Sequence, residues 1–103
     1  MRLILRAIAG MLVLISLQAS AGGDAAAGQT KSAICAACHG VDGNSAVPNW
    51  PKLAGQHEKY LVRHIQLIKS GARPVPEMIG ITPGLSDQDI EDLSAYFASQ
   101  HYN

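Results

Sequence analysis

The chain has 103 residues, 48% of them apolar and 16% charged, with eight basic residues balancing eight acidic ones. No basic stripe runs along it, so the electrostatic footprint of a nucleic-acid binder is missing and nucleic acid is excluded as a partner. A chain this short makes one domain with a small core, and such domains commonly need a staple.

The N-terminus is organised for export. Arg2 and Arg6 give a positively charged start, Ala7 to Leu17 is apolar apart from glycine and serine, and Ala19-Ser20-Ala21 is a small-x-small cleavage site. The apolar run falls short of the roughly 20 residues of a membrane span. Residues 1–21 therefore read as a secretory signal peptide, with retention as an anchor the other use of such a segment. Cleavage after Ala21 leaves residues 22–103 as a single domain with six basic and eight acidic residues. That domain is expected in the periplasm, with no stable membrane insertion.

Three helices are predicted in it. Asp24 caps a first helix that begins Ala25-Ala26-Ala27 and runs to Cys38, with Gly40 as its stop. Its last turn carries Cys35-Ala36-Ala37-Cys38-His39. C-x-x-C-H is the signature of covalent c-type haem attachment, in which two thioethers hold the porphyrin and the histidine ligates iron. On a helix, residues three and four apart share a face, so both sulfurs and the imidazole project together. Both cysteines of the chain lie in this motif. A thiol–disulfide oxidoreductase would need a βαβ pattern around its CxxC, and a zinc site would need a second ligand pair; neither is present in the sequence. A buried haem is itself a staple, and the five aromatic residues fit a core completed by a cofactor.

Val41 to Gln56, with Asp42-Gly43, Asn44, Pro48, Pro51 and Gly55, reads as loop. The second helix spans His57 to Ser70, with Leu61, Ile65 and Ile68 at helical spacing and Gly71 after it. Arg73 to Gly84 holds three prolines and cannot stay helical for long. It contains Met78, the one methionine left after signal removal. A thioether on a loop braced by Pro74 and Pro76 suits the sixth iron ligand of an electron carrier; the same side chain elsewhere is a flexible core filler. Among the other histidines, His57 opens a helix, His64 sits beside the apolar stripe in a structural role, and His101 falls in a C-terminus expected to fray. The last helix is capped by Ser86, with Asp87, Asp89, Glu91 and Asp92 loading its positive end and Ile90, Leu93 and Phe97 as its apolar stripe. No strand-like alternation of useful length appears, so the fold class is all-α.

These segments carry a resemblance. Gly40, Asp42-Gly43-Asn44-Ser45, Pro48, Pro51-Lys52-Leu53-Ala54-Gly55-Gln56, Tyr60-Leu61, Arg73 and Leu85-Ser86-Asp87 through Ala95-Tyr96-Phe97-Ala98-Ser99 follow the haem motif in order. Together they resemble a bacterial class I cytochrome c, similar to the small c553 type and to one half of dihaem cytochrome c4. The resemblance implies three main helices and loops wrapped around one haem, with the first and last helices crossing near Gly28 and Tyr96. It implies that the Pro51 carbonyl accepts the Nδ1–H of His39. It places Leu53 and Tyr60 against the haem or in ordinary core, Arg73 on a propionate or in solvent, and Trp50 at the haem border or over the loop. Two departures stand out: His64 replaces the glutamine usual in the c4-like helix, and the chain ends after one haem domain.

The resemblance implies a periplasmic electron carrier with one haem c on Cys35 and Cys38 and His39/Met78 ligation. Its partners would be transient redox proteins, whether oxidase, reductase or dehydrogenase, met through an apolar ring around the haem edge. It would be no enzyme. The alternative, a haem-based sensor or peroxidase-like protein, needs a labile sixth ligand and a distal acid–base pair, and no histidine or arginine is clearly placed opposite His39.

Overall fold

The computed structural model describes Gly10 and residues 22–103. Apart from Gly10, the expected signal peptide therefore lies outside the described residues. Four α-helices follow: α1 (Ala25–Lys31), α2 (Ala33–His39), α3 (Glu58–Ser70) and α4 (Asp87–Ala98). Two 3-10 turns, Pro76–Met78 and Thr82–Gly84, lie between α3 and α4. The described residues contain no strand, and none of their helices is long and apolar enough to cross a membrane.

The first predicted helix is in fact two. It breaks at Ser32, whose hydroxyl donates to the Gln29 carbonyl at 2.8 Å, while Thr30 donates likewise to Ala27 at 2.7 Å. Such hydroxyls compete with the main-chain ladder and bend helices. The Ser32 N–H also bonds back three residues, to Gln29, so one turn tightens before α2 starts. α2 includes His39 and stops at Gly40, one residue beyond the expected end.

The remaining boundaries follow from caps. The Asp24 carboxylate accepts from the N–H groups of Ala26 and Ala27, and α3 ends on left-handed Gly71. Ser86 and Asp89 form a reciprocal capping box, each side chain accepting the other's backbone N–H. His57 precedes α3 rather than opening it, and its side chain makes no capping bond.

Only Asp87 and Asp89 of the acidic run lie in the first turn of α4. Asp92 serves a different purpose. It is 3% exposed, and its carboxylate accepts from the Asp24 N–H at 2.8 Å, Lys31 Nζ at 2.7 Å and Gln88 Nε2 at 2.8 Å. Lys31 also reaches Asp89 at 2.9 Å. The N–H of Asp24 and the Lys31 ammonium hold the Asp92 carboxyl down at about 2.

This network sits on the crossing of α1 and α4. A Cβ built on Gly28 would lie 2.0 Å from the Asp92 carbonyl oxygen and 2.8 Å from the Tyr96 Cβ. The helices thus cross where the family resemblance implies. Leu61, Leu93, Tyr96 and Phe97 form the buried cluster, with Cys35, Leu53, Leu85 and Ala98 packed on it.

The loop after α2 is fixed to this core. Gly43, at φ +81°, turns its carbonyl to the N–H groups of Leu53 and Ala54. A side chain there would meet Ala54 N and Phe97 Cδ1 at 2.8 Å. The Tyr96 hydroxyl donates to the Val41 carbonyl at 2.8 Å. The C-terminus is not frayed as expected: Asn44 donates to the His101 carbonyl and accepts from the Asn103 N–H, and Lys52 lies 4.7 Å from the Tyr102 ring centre. The His101 side chain is left exposed.

Two outcomes follow. Gly28→Ala should destabilise the holoprotein by about 1–3 kcal/mol in urea unfolding, as overpacking does; a gain, usual for Gly→Ala in an open helix, would contradict the close crossing. The unfolded Asp92 carboxyl titrates near 3.8 and the folded one near 2, so its stabilisation is complete above the unfolded value and is lost as pH falls toward 2. Asp92→Asn should lower Tm at neutral pH and flatten the acid limb of a Tm–pH profile.

Candidate functional site

Between α2, α3, α4 and the loops lies a cavity of about 390 Å³, within the usual size of small-molecule and cofactor sites. Every candidate residue from the sequence reaches it. α2 supplies Cys35, Cys38 and His39, the following loop Pro51 and Leu53, and α3 Tyr60. Arg73 and Met78 come from the segment before α4. Trp50 borders the same space.

His39 is 8% exposed, and its Nδ1 lies 2.8 Å from the Pro51 carbonyl oxygen. A carbonyl only accepts, so Nδ1 carries the proton and Nε2 is the nitrogen left for a metal. The position of Pro51 follows from the loop: Leu53, two residues on, is tied by its N–H to the Gly43 carbonyl at 2.8 Å. The ring is thereby held in the tautomer and orientation that a metal-ligating histidine needs.

Met78 closes the short turn opened by Pro76. Its N–H bonds to the Val75 carbonyl at 3.0 Å, and its carbonyl accepts from the Ile81 N–H and the Thr82 hydroxyl. The loop is braced by main-chain bonds as well as by proline. The side chain is half-buried.

Burial pushes the Cys35 thiol up to about 11. Reactive thiols have lowered values, so the environment of Cys35 is the opposite of one built for disulfide exchange. Its sulfur instead packs with the apolar core.

Sequence reasoning missed two features of the cavity, the contact between His64 and Arg73 and the burial of Ser94. His64 and Arg73 both line it and touch each other, with 2.9 Å between Arg73 Nη1 and His64 Nδ1. The histidine ring also stacks on Tyr60, centroids 4.1 Å apart. The other is Ser94, 0% exposed and lining the cavity, whose hydroxyl oxygen has no hydrogen-bond partner. Nothing in the sequence distinguishes this serine from a solvent-facing one. His57 and His101 are not among the cavity-lining residues.

The walls fit a haem. They are predominantly apolar, and two thiols and an oriented imidazole stand side by side on α2. The cytochrome c sequence profile matches residues 25–101. The chain belongs to the cytochrome c family. Cytochrome c4 of Pseudomonas aeruginosa is 62% identical over 82 residues, covering 80% of this chain and 41% of that protein. Cytochrome c-554(548) of Halomonas halodenitrificans is 46% identical over 81 residues, covering 76% of this chain and 98% of its own length. The crystal structure of reduced cytochrome c4 from Pseudomonas stutzeri superposes with a TM-score of 0.77 at 55% identity, covering 80% of this chain and 48% of that one. The chain thus spans less than half the length of these cytochrome c4 relatives. The family and the Cys35–Cys38 spacing specify one covalently bound haem c.

Removing both attachment points should separate the cofactor from the chain. Acid–acetone extraction should leave haem on the wild-type protein and remove it from any Cys35→Ala/Cys38→Ala protein that accumulates. Retention in the double variant would contradict thioether attachment.

Proposed function

We propose that this cytochrome is a periplasmic electron carrier, with His39 and Met78 as axial ligands. The observation that carries the reading is the His39–Pro51 bond in a cavity also walled by Met78. When bound, the haem supplies a single iron that exchanges one electron reversibly.

The protein's own residues govern that exchange without making or breaking bonds of a substrate. Cys35 and Cys38 anchor the ring on α2. The Pro51 carbonyl keeps the His39 proton on Nδ1 and so reserves Nε2 for the iron. Met78, held in its turn, would supply a thioether ligand to the iron, and His/Met ligation raises the reduction potential. Leu53, Leu61, Leu93 and Phe97 exclude water, which limits solvent reorganisation. Tyr60 and Arg73 border the cavity at the surface, where Arg73 can meet a propionate.

Electrons would pass through an edge flanked by exposed apolar residues. Ile34, 47% exposed, lines the cavity mouth, and Ile79, 59% exposed, follows Met78. Encounters of redox proteins of this kind are small, below about 1,200 Å². The partners would be an oxidase, a reductase or a dehydrogenase. Export is proposed to use residues 1–21 and to release residues 22–103 as one domain.

An absorption spectrum of the purified periplasmic protein tests this. A low-spin c-type spectrum, a weak far-red band in the oxidised form and no shift with carbon monoxide on reduction are expected. Met78→Ala should abolish the far-red band and open the reduced iron to carbon monoxide. A high-spin wild-type spectrum, or ready carbon monoxide binding, would instead favour a sensor or peroxidase-like role. N-terminal sequencing of the same material should begin at Gly22.

A further inference from the structure

We propose that a small cavity between α3 and α4 holds the chain's own N-terminal ammonium, created at Gly22 by cleavage after Ala21, with Glu58 and Glu91 as its counter-charges. This inference deepens the export reading above and rests on it. The cavity, of about 220 Å³, is lined by Gly22, Glu58, Lys59, Val62 and Glu91. It shares no lining residue with the haem cavity.

The segment before α1 is seated against both helices. A Cβ built on Gly23 would lie 1.9 Å from the Glu91 carbonyl oxygen and 2.8 Å from the Asp92 nitrogen. The chain therefore runs along the α4 backbone with no room for a side chain. The Gly23 N–H donates to Glu58 Oε1 at 3.3 Å, and the Asp24 N–H donates to Asp92 Oδ1 at 2.8 Å. One carboxylate from each helix thus holds two successive amides, and this fixes Gly22 in the cavity wall. Gly22, Glu58 and Glu91 are each half-buried.

Two carboxylates in one half-buried cavity repel each other unless a cation stands between them. Among the described residues the ion pairs are Lys31–Asp89 and Lys31–Asp92, so neither glutamate has a basic side chain as partner. Lys59 lines the cavity as an exposed residue and makes no ion pair there. In the uncleaved chain the Gly22 nitrogen is a neutral amide. Hydrolysis of the Ala21–Gly22 bond by a signal peptidase adds one water, leaving a carboxylate on Ala21 and an amine on Gly22. An α-amino group ordinarily titrates at about 7.7–8.0, so it takes up a proton at neutral pH. The charged groups that face it are Glu58 and Lys59 from α3 and Glu91 from α4. Asp92, also on α4, is already engaged by Asp24, Lys31 and Gln88. Maturation thereby adds a cation that joins the entrance of α1 to α3 and α4. Each extra residue before Gly22 would carry that charge up to about 3.5 Å further along the chain.

N-terminal sequencing and selective transamination of the mature holoprotein test the proposal. Sequencing should begin at Gly22. Transamination with pyridoxal phosphate replaces the terminal ammonium by a neutral carbonyl and leaves the lysines intact. It should lower Tm at pH 7 by about 2–5 °C, the scale of a partly exposed ion pair in a domain of this size. Glu58→Gln/Glu91→Gln keeps an acceptor for the Gly23 N–H and removes both charges, so transamination of that variant should leave its Tm unchanged. Gly23→Ala, which unseats the segment from α4, should likewise erase the effect of transamination. A start at Gly22 with no loss of Tm on transamination, or an equal loss in either variant, would overturn the ammonium site while leaving the cleavage reading intact. A start at any other residue would overturn both.

Discussion

At Gly28 the backbone of α1 comes so close to the carbonyl of Asp92 that a single methyl group has no room. Everything else in the domain is arranged around that approach. A crossing this tight brings main-chain groups of one helix within reach of side chains on the other, which is how one carboxylate serves both. Asp92 accepts from the backbone at the start of α1 and from Lys31 at its end, so it bonds to α1 at both ends. The contact that costs conformational freedom at a glycine is offset by hydrogen bonds that exist only because the helices touch.

The crossing also explains why α4 is buried on every side. Residues 92–97 are all buried, an unusual run for a helix in a domain of this size, where most helices keep a solvent face. One side of α4 rests on α1 through Asp92 and Tyr96. The other lines the cavity through Leu93, Ser94 and Phe97. Ser94, with no partner for its hydroxyl, lies on that side.

How far the sequence disclosed this depended on whether the signal was local. The haem motif, the Ser86 cap and the Gly71 stop are short-range patterns, each with its own chemistry, and the structure has them where they were read. Met78 could be nominated because it is the one methionine outside the expected signal peptide and sits on a proline-braced loop, and Pro51 because the family resemblance implied it. The failures all involve partners distant in sequence or competition within a turn. Ser32 and Thr30 break the first helix through hydroxyl bonds that a propensity count does not register. Asp92 looked like a dipole-complementing charge on α4, because nothing local shows that Asp24 and Lys31, more than sixty residues earlier, need an acceptor. The tail looked frayed because its ties run to Asn44 and Lys52 across the fold. His64 was placed correctly beside the apolar stripe, yet its bond to Arg73 depends on how the chain returns after Gly71.

The two proposed iron ligands are held by unequal means, and that difference orders the site. His39 ends a helix covalently joined to the haem through its neighbours, and its ring is fixed by a carbonyl on a loop tied to Gly43 and Phe97. Met78 depends on one 3-10 turn and the Thr82 hydroxyl, contacts confined to a short stretch of chain. Local unfolding proceeds first where contacts are few and close in sequence. The methionine side is therefore the side at which a sixth position would open, and the histidine side is the frame that keeps the cofactor in register when it does. Arg73, bonded to His64, stands five residues before Met78, so the segment bearing the less secure ligand is tied back to α3 at its start.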